Sequence, residues 1–242
     1  MIAAAGRGSR LGGDIPKPLV PIAGRPMLDV LTDLYRPFVD HILVVANPAS
    51  MPAIRARAPR GVTVVEQADP TGMLDAILLA ASAVERQRPD VVWITWADQV
   101  GVMRATLDRL ADAERDRPAP AMILPTVRRR DPYIHFLRDS AGRITGLLQR
   151  REGDVMPLEG EGDAGLFSLT RETFTRDLPA YAGGVSAGAA TGERNFVPFV
   201  PWLARQRLVA TVPCTDGREA VGVNTPDDLR LLEEWMRTRD EA

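Results

Sequence analysis

Met1-Ile2-Ala3-Ala4-Ala5-Gly6-Arg7-Gly8-Ser9-Arg10-Leu11 opens the chain, and Asp14-Ile15-Pro16-Lys17-Pro18 follows closely. The first five residues are apolar without alternation, which is the pattern of a strand covered on both faces. A glycine-rich turn directly after the first strand of a parallel sheet is a recurrent anion site, because backbone N–H groups there can approach a phosphate with no Cβ in the way. Lys17 is the only lysine among 30 basic residues. A compact ammonium on a flexible stem beside such a turn suits phosphoryl chemistry, whereas arginine offers a rigid planar fork.

Working outward, short apolar runs alternate with amphipathic patterns. The runs Met1–Ala5, Ile42–Ala46, Val62–Glu66, Val91–Thr95 and Ala121–Pro125 read as strands. Met27–Arg36, Pro52–Ala58, Met73–Arg86 and Met103–Arg115 read as helices, the third with Leu74, Ile77, Leu78, Ala81 and Val84 at helical spacing. This alternation predicts an α/β fold: a Rossmann-like, open, mostly parallel sheet with right-handed crossovers and helices on both faces. After Thr126 the pattern changes. Tyr133–Arg138 and Arg143–Gln149 flank Asp139-Ser140-Ala141-Gly142 as a β-hairpin embellishment. A polar loop (Arg150–Asp163), the strand Ala164–Leu169, a mobile Gly/Ala/Ser-rich loop over Tyr181–Gly192 that reads as a substrate lid, a helix around Phe196–Leu203 and the strand Leu208–Val212 follow. Thr225-Pro226-Asp227-Asp228 gives the last helix an N-cap, a proline at its first position and an acidic first turn. A single domain over residues 1–242 is expected, with 1–126 mainly for nucleotide, 127–225 mainly for sugar phosphate and 226–242 a C-terminal helix.

Composition narrows the function classes. At 242 residues and 45% hydrophobic, with a net charge of −2, the chain supports a substantial core and offers no basic nucleic-acid face. Cys214 is the sole cysteine, so neither a disulfide framework nor a Cys-based zinc site is expected, and a cytoplasmic, reducing location suits the chain. No apolar run approaches the ~20 residues that span a bilayer. The first five residues lack the basic region of a leader and read as a strand from the first residue. His41 and His135 form no metal-ligand spacing and read as structural.

Two familiar phosphate motifs fail on spacing. The dinucleotide pattern G-x-G-x-x-G would need glycine where Leu11 stands and an acidic residue near Ala46-Asn47, which disfavours a nicotinamide dehydrogenase. The P-loop G-x-x-x-x-G-K, tried from Gly8 to Gly13, meets Asp14 instead of lysine.

A third pattern fits. Ala4-Ala5-Gly6-Arg7-Gly8-Ser9-Arg10-Leu11, then Pro16-Lys17-Pro18-Leu19 and the run through Leu28, resembles the signature of the sugar-1-phosphate nucleotidylyltransferases, enzymes of the nucleotide-diphospho-sugar transferase fold. The resemblance implies that NTP and a sugar 1-phosphate give an NDP-sugar and pyrophosphate, with Mg²⁺ as cofactor. It assigns Ala4, Ala5, Gly6 and Gly8 to the triphosphate, and Arg10 and Lys17 to charge neutralisation in the transition state. Gln67-Ala68-Asp69-Pro70-Thr71-Gly72 resembles the segment that contacts the nucleobase, through Gln67, Thr71 and Gly72. Asp98 and Asn224, the latter in Gly222-Val223-Asn224, match the family's metal-binding pair. Gln149, Asp163, Gly165 and Glu193 fall where the family holds the sugar phosphate. Gln149 stands where glutamate is usual and Asp163 where asparagine is usual, which points away from N-acetylglucosamine and towards another sugar or a sugar-like cyclitol. Gly8–Asp14 also resembles the molybdenum-cofactor guanylyltransferases, although Pro16 before Lys17 favours the sugar enzymes. A non-catalytic sugar-nucleotide-binding regulator is the farther alternative. The partners implied are small molecules, with neither nucleic acid nor membrane. Homo-oligomerisation, the base and the sugar stay open.

Overall fold

A computed structural model describes residues 1–6, 11, 15–58, 61–69 and 71–240. The first half runs β1 (Ile2–Ala4), the small hairpin β2 (Pro21–Ile22) and β3 (Arg25–Pro26), α1 (Met27–Tyr35), β4 (Ile42–Ala46), α2 (Met51–Arg57), β5 (Val62–Glu66), α3 (Met73–Leu78), α4 (Ala81–Gln87), β6 (Val91–Trp96), α5 (Arg104–Ala113) and β7 (Met122–Arg130). The second half adds the hairpin β8 (Ile134–Arg138) and β9 (Ile144–Gln149), then β10 (Glu159–Asp163), β11 (Leu166–Thr170), α6 (Leu178–Gly184), α7 (Phe199–Ala204), β12 (Val209–Pro213) and α8 (Pro226–Asp240).

The central sheet has the order β12-β7-β11-β6-β1-β4-β5. β10 continues the line of β11 along the same edge of β7, where Asp163 faces Thr126 and Glu159 faces Arg130. β5, β4, β1 and β6 pair in parallel, as do β7 and β12, while β11 runs antiparallel to both β6 and β7. The α/β expectation of a mostly parallel sheet is therefore met. Alternation along the strands fills two cores. Ile2, Ala4, Val44, Ala46, Trp93 and Leu166 pack against α1, α2, α5 and α8. Leu43, Val45, Val92, Ile94, Met122 and Phe167 pack against α3, α4, α6, α7 and the β8–β9 hairpin. Helices thus cover both faces, so the strands must be apolar on both sides, and that is why they read as continuous apolar runs. No helix among the described residues is long and apolar enough to cross a membrane.

Four expectations need correction. The helix Met73–Arg86 is two helices, broken at Leu79–Ala80, where the Ala80 N–H bonds to Ile77 O in a tighter turn. The strand expected over Ala121–Pro125 continues to Arg130. The loop Arg150–Asp163 contains a short 3₁₀ turn (Arg150–Glu152) and the strand β10. The lid expected over Tyr181–Gly192 begins inside α6, which follows a π-helical turn over Thr173–Asp177. Tyr181 anchors that helix against Phe199 and Trp202, with ring centroids 5.3 and 5.6 Å away.

Candidate active site

Three chain segments meet where the parallel strands β1 and β6 end, at their carboxyl edge. Pro16 leads into a 3₁₀ turn over Lys17–Leu19, closed by Leu19 N–H to Pro16 O at 2.7 Å. Asp98 sits in the turn after β6, where Ala97 N–H still bonds to Ala3 O of β1 at 3.0 Å. Asn224 lies just before α8. The Asp228 carboxylate accepts from the N–H groups of Asn224 and Thr225 at 3.0 and 2.8 Å, and Thr225 Oγ1 accepts from Asp228 N–H at 3.2 Å. This reciprocal cap fixes the residue immediately ahead of the helix.

Lys17 Nζ donates to Asp98 Oδ2 at 2.5 Å and to Asn224 Oδ1 at 3.0 Å. The Lys17 and Asp98 side chains retain only 15% and 17% of their exposure, so solvent and salt screen this pair less than a surface pair. The backbone reinforces the junction, with Val223 N–H donating to Asp98 O at 3.0 Å. A carboxylate oxygen and an amide oxygen therefore already converge on one cationic atom. Hard oxygen donors of this kind are what Mg²⁺ takes up alongside substrate phosphates. Among the described residues no group of three or more His, Cys, Asp or Glu is placed to hold a metal ion, and Asp98 is the one carboxylate at this point.

The strand end beside this point is built from Ala4 and Ala5, both buried, with Ala5 O accepting from Asn47 Nδ2 at 3.1 Å. Gly6 is exposed, with open space where a Cβ would stand. Gly8 and Arg10 lie outside the described residues. At the end of β5, Gln67 is buried and its Nε2 donates to Gly72 O at 3.2 Å, so its amide holds the loop that it begins. Thr71 is exposed. Thr71 O accepts from Arg194 N–H and Arg194 O from Leu74 N–H, each at 3.0 Å. Gly72 has φ +129°, and a Cβ there would lie 2.5 Å from Arg194 N and O. The glycine is thus required by the close approach of Arg194, whose guanidinium also donates to Asp75 and to Ala182 O.

The four residues expected on the sugar side fall into two groups. Asp163 and Gly165 occupy the bend between β10 and β11, where the Asp163 carboxylate accepts from Gly165 N–H at 2.8 Å. Burial pushes the Asp163 carboxyl above its usual range, opposed by that hydrogen bond. Gly165, at φ +67°, leaves room for the Gln99 side chain, the neighbour of Asp98 in sequence. Gln149 and Glu193 belong to a separate network at the end of β9. Gln149 Oε1 accepts from Asn195 Nδ2 at 2.5 Å, and Glu193 pairs with Arg151 at 3.0 Å.

Sequence reading missed Gln99, Glu219 and Asn47, and placed Arg194 only within the Glu193–Phe196 segment on the sugar side. Glu219 had one available signal: Asp216-x-x-Glu219 has the spacing of a capping box, and the structure forms it. Gln99 bonds across the fold to Glu219 O, which spacing does not reveal, while Asn47 joins a distant contact with Ala5 O to a local one from Ser50 N–H at 2.8 Å.

Residues 1–162 match the family model described as MobA-like NTP transferase domain. The bifunctional protein GlmU of Burkholderia pseudomallei (strain K96243) is 30% identical to this chain over 239 residues, covering 96% of the chain and 51% of that protein. GlmU of Burkholderia mallei (strain SAVP1) has the same identity and coverage, 30%, 96% and 51%. The chain thus spans about half the length of the curated relatives it matches. Among solved structures, HddC from Yersinia pseudotuberculosis complexed with GMP-PN superposes with a TM-score of 0.65 over 97% of each chain at 17% identity, a likeness of fold. The family match covers the strands, turns and helices that carry Lys17 and Asp98, and on that extent the chain belongs to the MobA-like NTP transferase domain family.

Proposed function

We propose that this chain is a nucleotidylyltransferase that makes an NDP-sugar or NDP-cyclitol from an NTP and the corresponding 1-phosphate, with Mg²⁺ as cofactor. The observation that carries the reading is the meeting of Lys17, Asp98 and Asn224 at one point on the carboxyl edge of the sheet, where open α/β sheets bind ligands. A phosphate oxygen of the sugar 1-phosphate attacks the α-phosphorus in line. The new P–O bond forms as the bond to the bridging oxygen breaks, and pyrophosphate leaves with that electron pair. The attacking group is already an anion, so the protein needs neither a nucleophile nor a strong base. Its task is placement and charge neutralisation.

On this reading Ala4, Ala5, Gly6 and Gly8 line the triphosphate, Gln67, Thr71 and Gly72 form the base loop, and Arg10 with Lys17 meets the developing charge. Asp98 and Asn224 would hold the divalent ion, which when bound neutralises phosphate oxygens and polarises the α-phosphorus. Gln149, Asp163, Gly165 and Glu193 would face the sugar phosphate. The Lys17 stem is flexible enough to leave Asp98 and follow charge on the α-phosphate. On the same reading, residues 1–126 mainly serve the nucleotide and 127–225 mainly the sugar phosphate. A cytoplasmic setting suits the lone Cys214, whose thiol is pushed well above its usual range by burial, which lowers its thiolate fraction.

The test is pyrophosphate release across four NTPs and a panel of sugar and cyclitol 1-phosphates, together with Lys17→Met. Activity with one pair is expected, and K17M should lower kcat by about 10²- to 10³-fold with a smaller change in the KM for NTP. An ammonium and a divalent ion compete for the same two oxygens, so K17M should also bind Mn²⁺ more tightly in the absence of nucleotide, by calorimetry. Unchanged kcat in K17M would remove Lys17 from the mechanism, and no release with any pair would favour a binding protein.

A further inference from the structure

Glu219 lies away from Lys17's contacts, is fully buried, and has no apolar role to explain its burial. Its Oε1 accepts from Thr215 N–H at 2.5 Å and Asp216 N–H at 3.0 Å, and its Oε2 accepts from Met103 N–H at 2.9 Å. Its backbone oxygen accepts from Gln99 Nε2 at 2.6 Å. One residue therefore ties the loop that leaves β12 to the loop that leaves β6.

Gln99 extends that tie. Its side chain is buried and fills the space that a Cβ on Gly165 would enter at 2.8 Å. A Cβ on Gly222 would come within 3.4 Å of Gln99 Oε1 and of Asp98 Cγ, and within 3.3 Å of Asn224 Nδ2. Gly101 is equally tight, since its Cβ would sit 2.9 Å from Arg218 O. The Asp98 loop, the Asn224 loop and the Asp163–Gly165 bend thus share one close contact, with Gln99 in the middle and Glu219 locking it from behind.

We infer that Glu219 and Gln99 are positioning residues that set the separation of Asp98 and Asn224, and so the affinity of that pair for a divalent cation. Neither touches the ion or substrate. The inference rests on the metal role proposed above for Asp98 and Asn224. Ligand-orienting groups of this kind typically change metal affinity by about 10- to 100-fold when altered. Glu219→Gln keeps the shape but turns one acceptor into a donor facing a backbone N–H. Gln99→Met keeps the volume and removes the donor to Glu219 O.

The experiment measures Mn²⁺ binding to the full chain by electron paramagnetic resonance, with Mn²⁺ alone as the probe, in wild type, E219Q, Q99M and D98A, each shown to be folded by its thermal transition. The expected result is Mn²⁺ affinity weakened by about tenfold or more in E219Q, weakened in the same direction in Q99M, and lost in D98A. A lowered Tm in E219Q and Q99M with Mn²⁺ affinity within about twofold of wild type, while D98A loses the ion, would make both residues merely structural and overturn the inference. Mn²⁺ affinity unchanged in D98A would overturn the metal reading itself.

Discussion

Lys17 and Asp163 show how one position can be read, and how far. A solitary ammonium between two prolines, after a glycine turn, was visible in the sequence as a phosphate-facing cation. Its contacts with Asp98 and Asn224 come from residues 81 and 207 positions away, and no local pattern encodes those pairings. Asp163 was legible through the family resemblance, as a sugar-side residue standing where asparagine is usual. Its burial within the bend raises its carboxyl pKa in the folded protein above the ordinary 3.8. A folded-state carboxyl pKa above the unfolded one means that the folded state binds the proton more tightly. Stability then falls as pH rises from the ordinary value through the folded one, and the penalty is complete above both. Asp163→Asn, which keeps an acceptor for Gly165 N–H, should therefore have a higher Tm than wild type near neutral pH. The gap should close as the pH is lowered below about 4, where the native carboxyl is protonated in both states. Thermal melts across that range check it, and a gap independent of pH would show that the carboxyl is not penalised.

The turn between β5 and α3 is an element whose architecture depends on a distant segment of the chain. Gln67-Ala68-Asp69-Pro70-Thr71-Gly72 reads as a helix entry in the sequence. The structure adds a second strand-like segment at Arg194 that bonds to both sides of Gly72. Gly72→Ala combines a strained φ of +129° with a Cβ 2.5 Å from backbone atoms that cannot yield cheaply. It should destabilise the protein by about 2 kcal/mol or more, read as a lower denaturation midpoint; a midpoint like the wild type's would mean that the Arg194 segment moves away freely. β10 shows the opposite case. Glu159-Gly160-Glu161-Gly162-Asp163 has no apolar alternation, so nothing local marks it as a strand. It becomes one because it pairs antiparallel with β7, because the Glu161 carboxylate binds Arg138 on β8 at 2.6 and 2.7 Å, and because its glycines admit the hairpin: a Cβ on Gly162 would lie 2.8 Å from Ile134 O. Opposite charges facing each other across a strand pair add only modestly to that ladder. α6 was missed for a related reason. Its final glycines resemble a loop, and its helical state is held by Leu178, Tyr181 and Ala182 against α7, packing that overrides weak propensity.

The assembled sheet has a graded interior. β4 is buried at all five positions and β1 at all three, while the edge strand β5 is partly exposed along its length. Amide exchange should follow this gradient. The amides of β1, β4 and β6 should open only with global unfolding, and the β5 and β12 edges at lower free energy; a β5 as protected as β4 would contradict it. The same assembly explains why the glycine turn, Lys17 and Asp98 were legible. The glycine turn follows the apolar β1 in the chain, Asp98 follows β6 and Lys17 is marked by its flanking prolines, and the sheet's handedness sends the ends of β1 and β6 to one edge. Asn224 was legible through Gly222-Val223-Asn224 and the Thr225 cap, which together place it ahead of a helix. Strand and helix periods, turn chemistry and the fixed hand of the crossovers were enough for the α/β class and the mostly parallel sheet, because those depend on local sterics and on burying apolar surface. The Gln99–Glu219 lock, the strand β10 and the split of the sugar-side residues into two networks were settled only in three dimensions. They rest on buried polar groups finding partners across the fold, and a polar residue in a linear chain looks the same whether its partner will be water or a backbone N–H a hundred residues away.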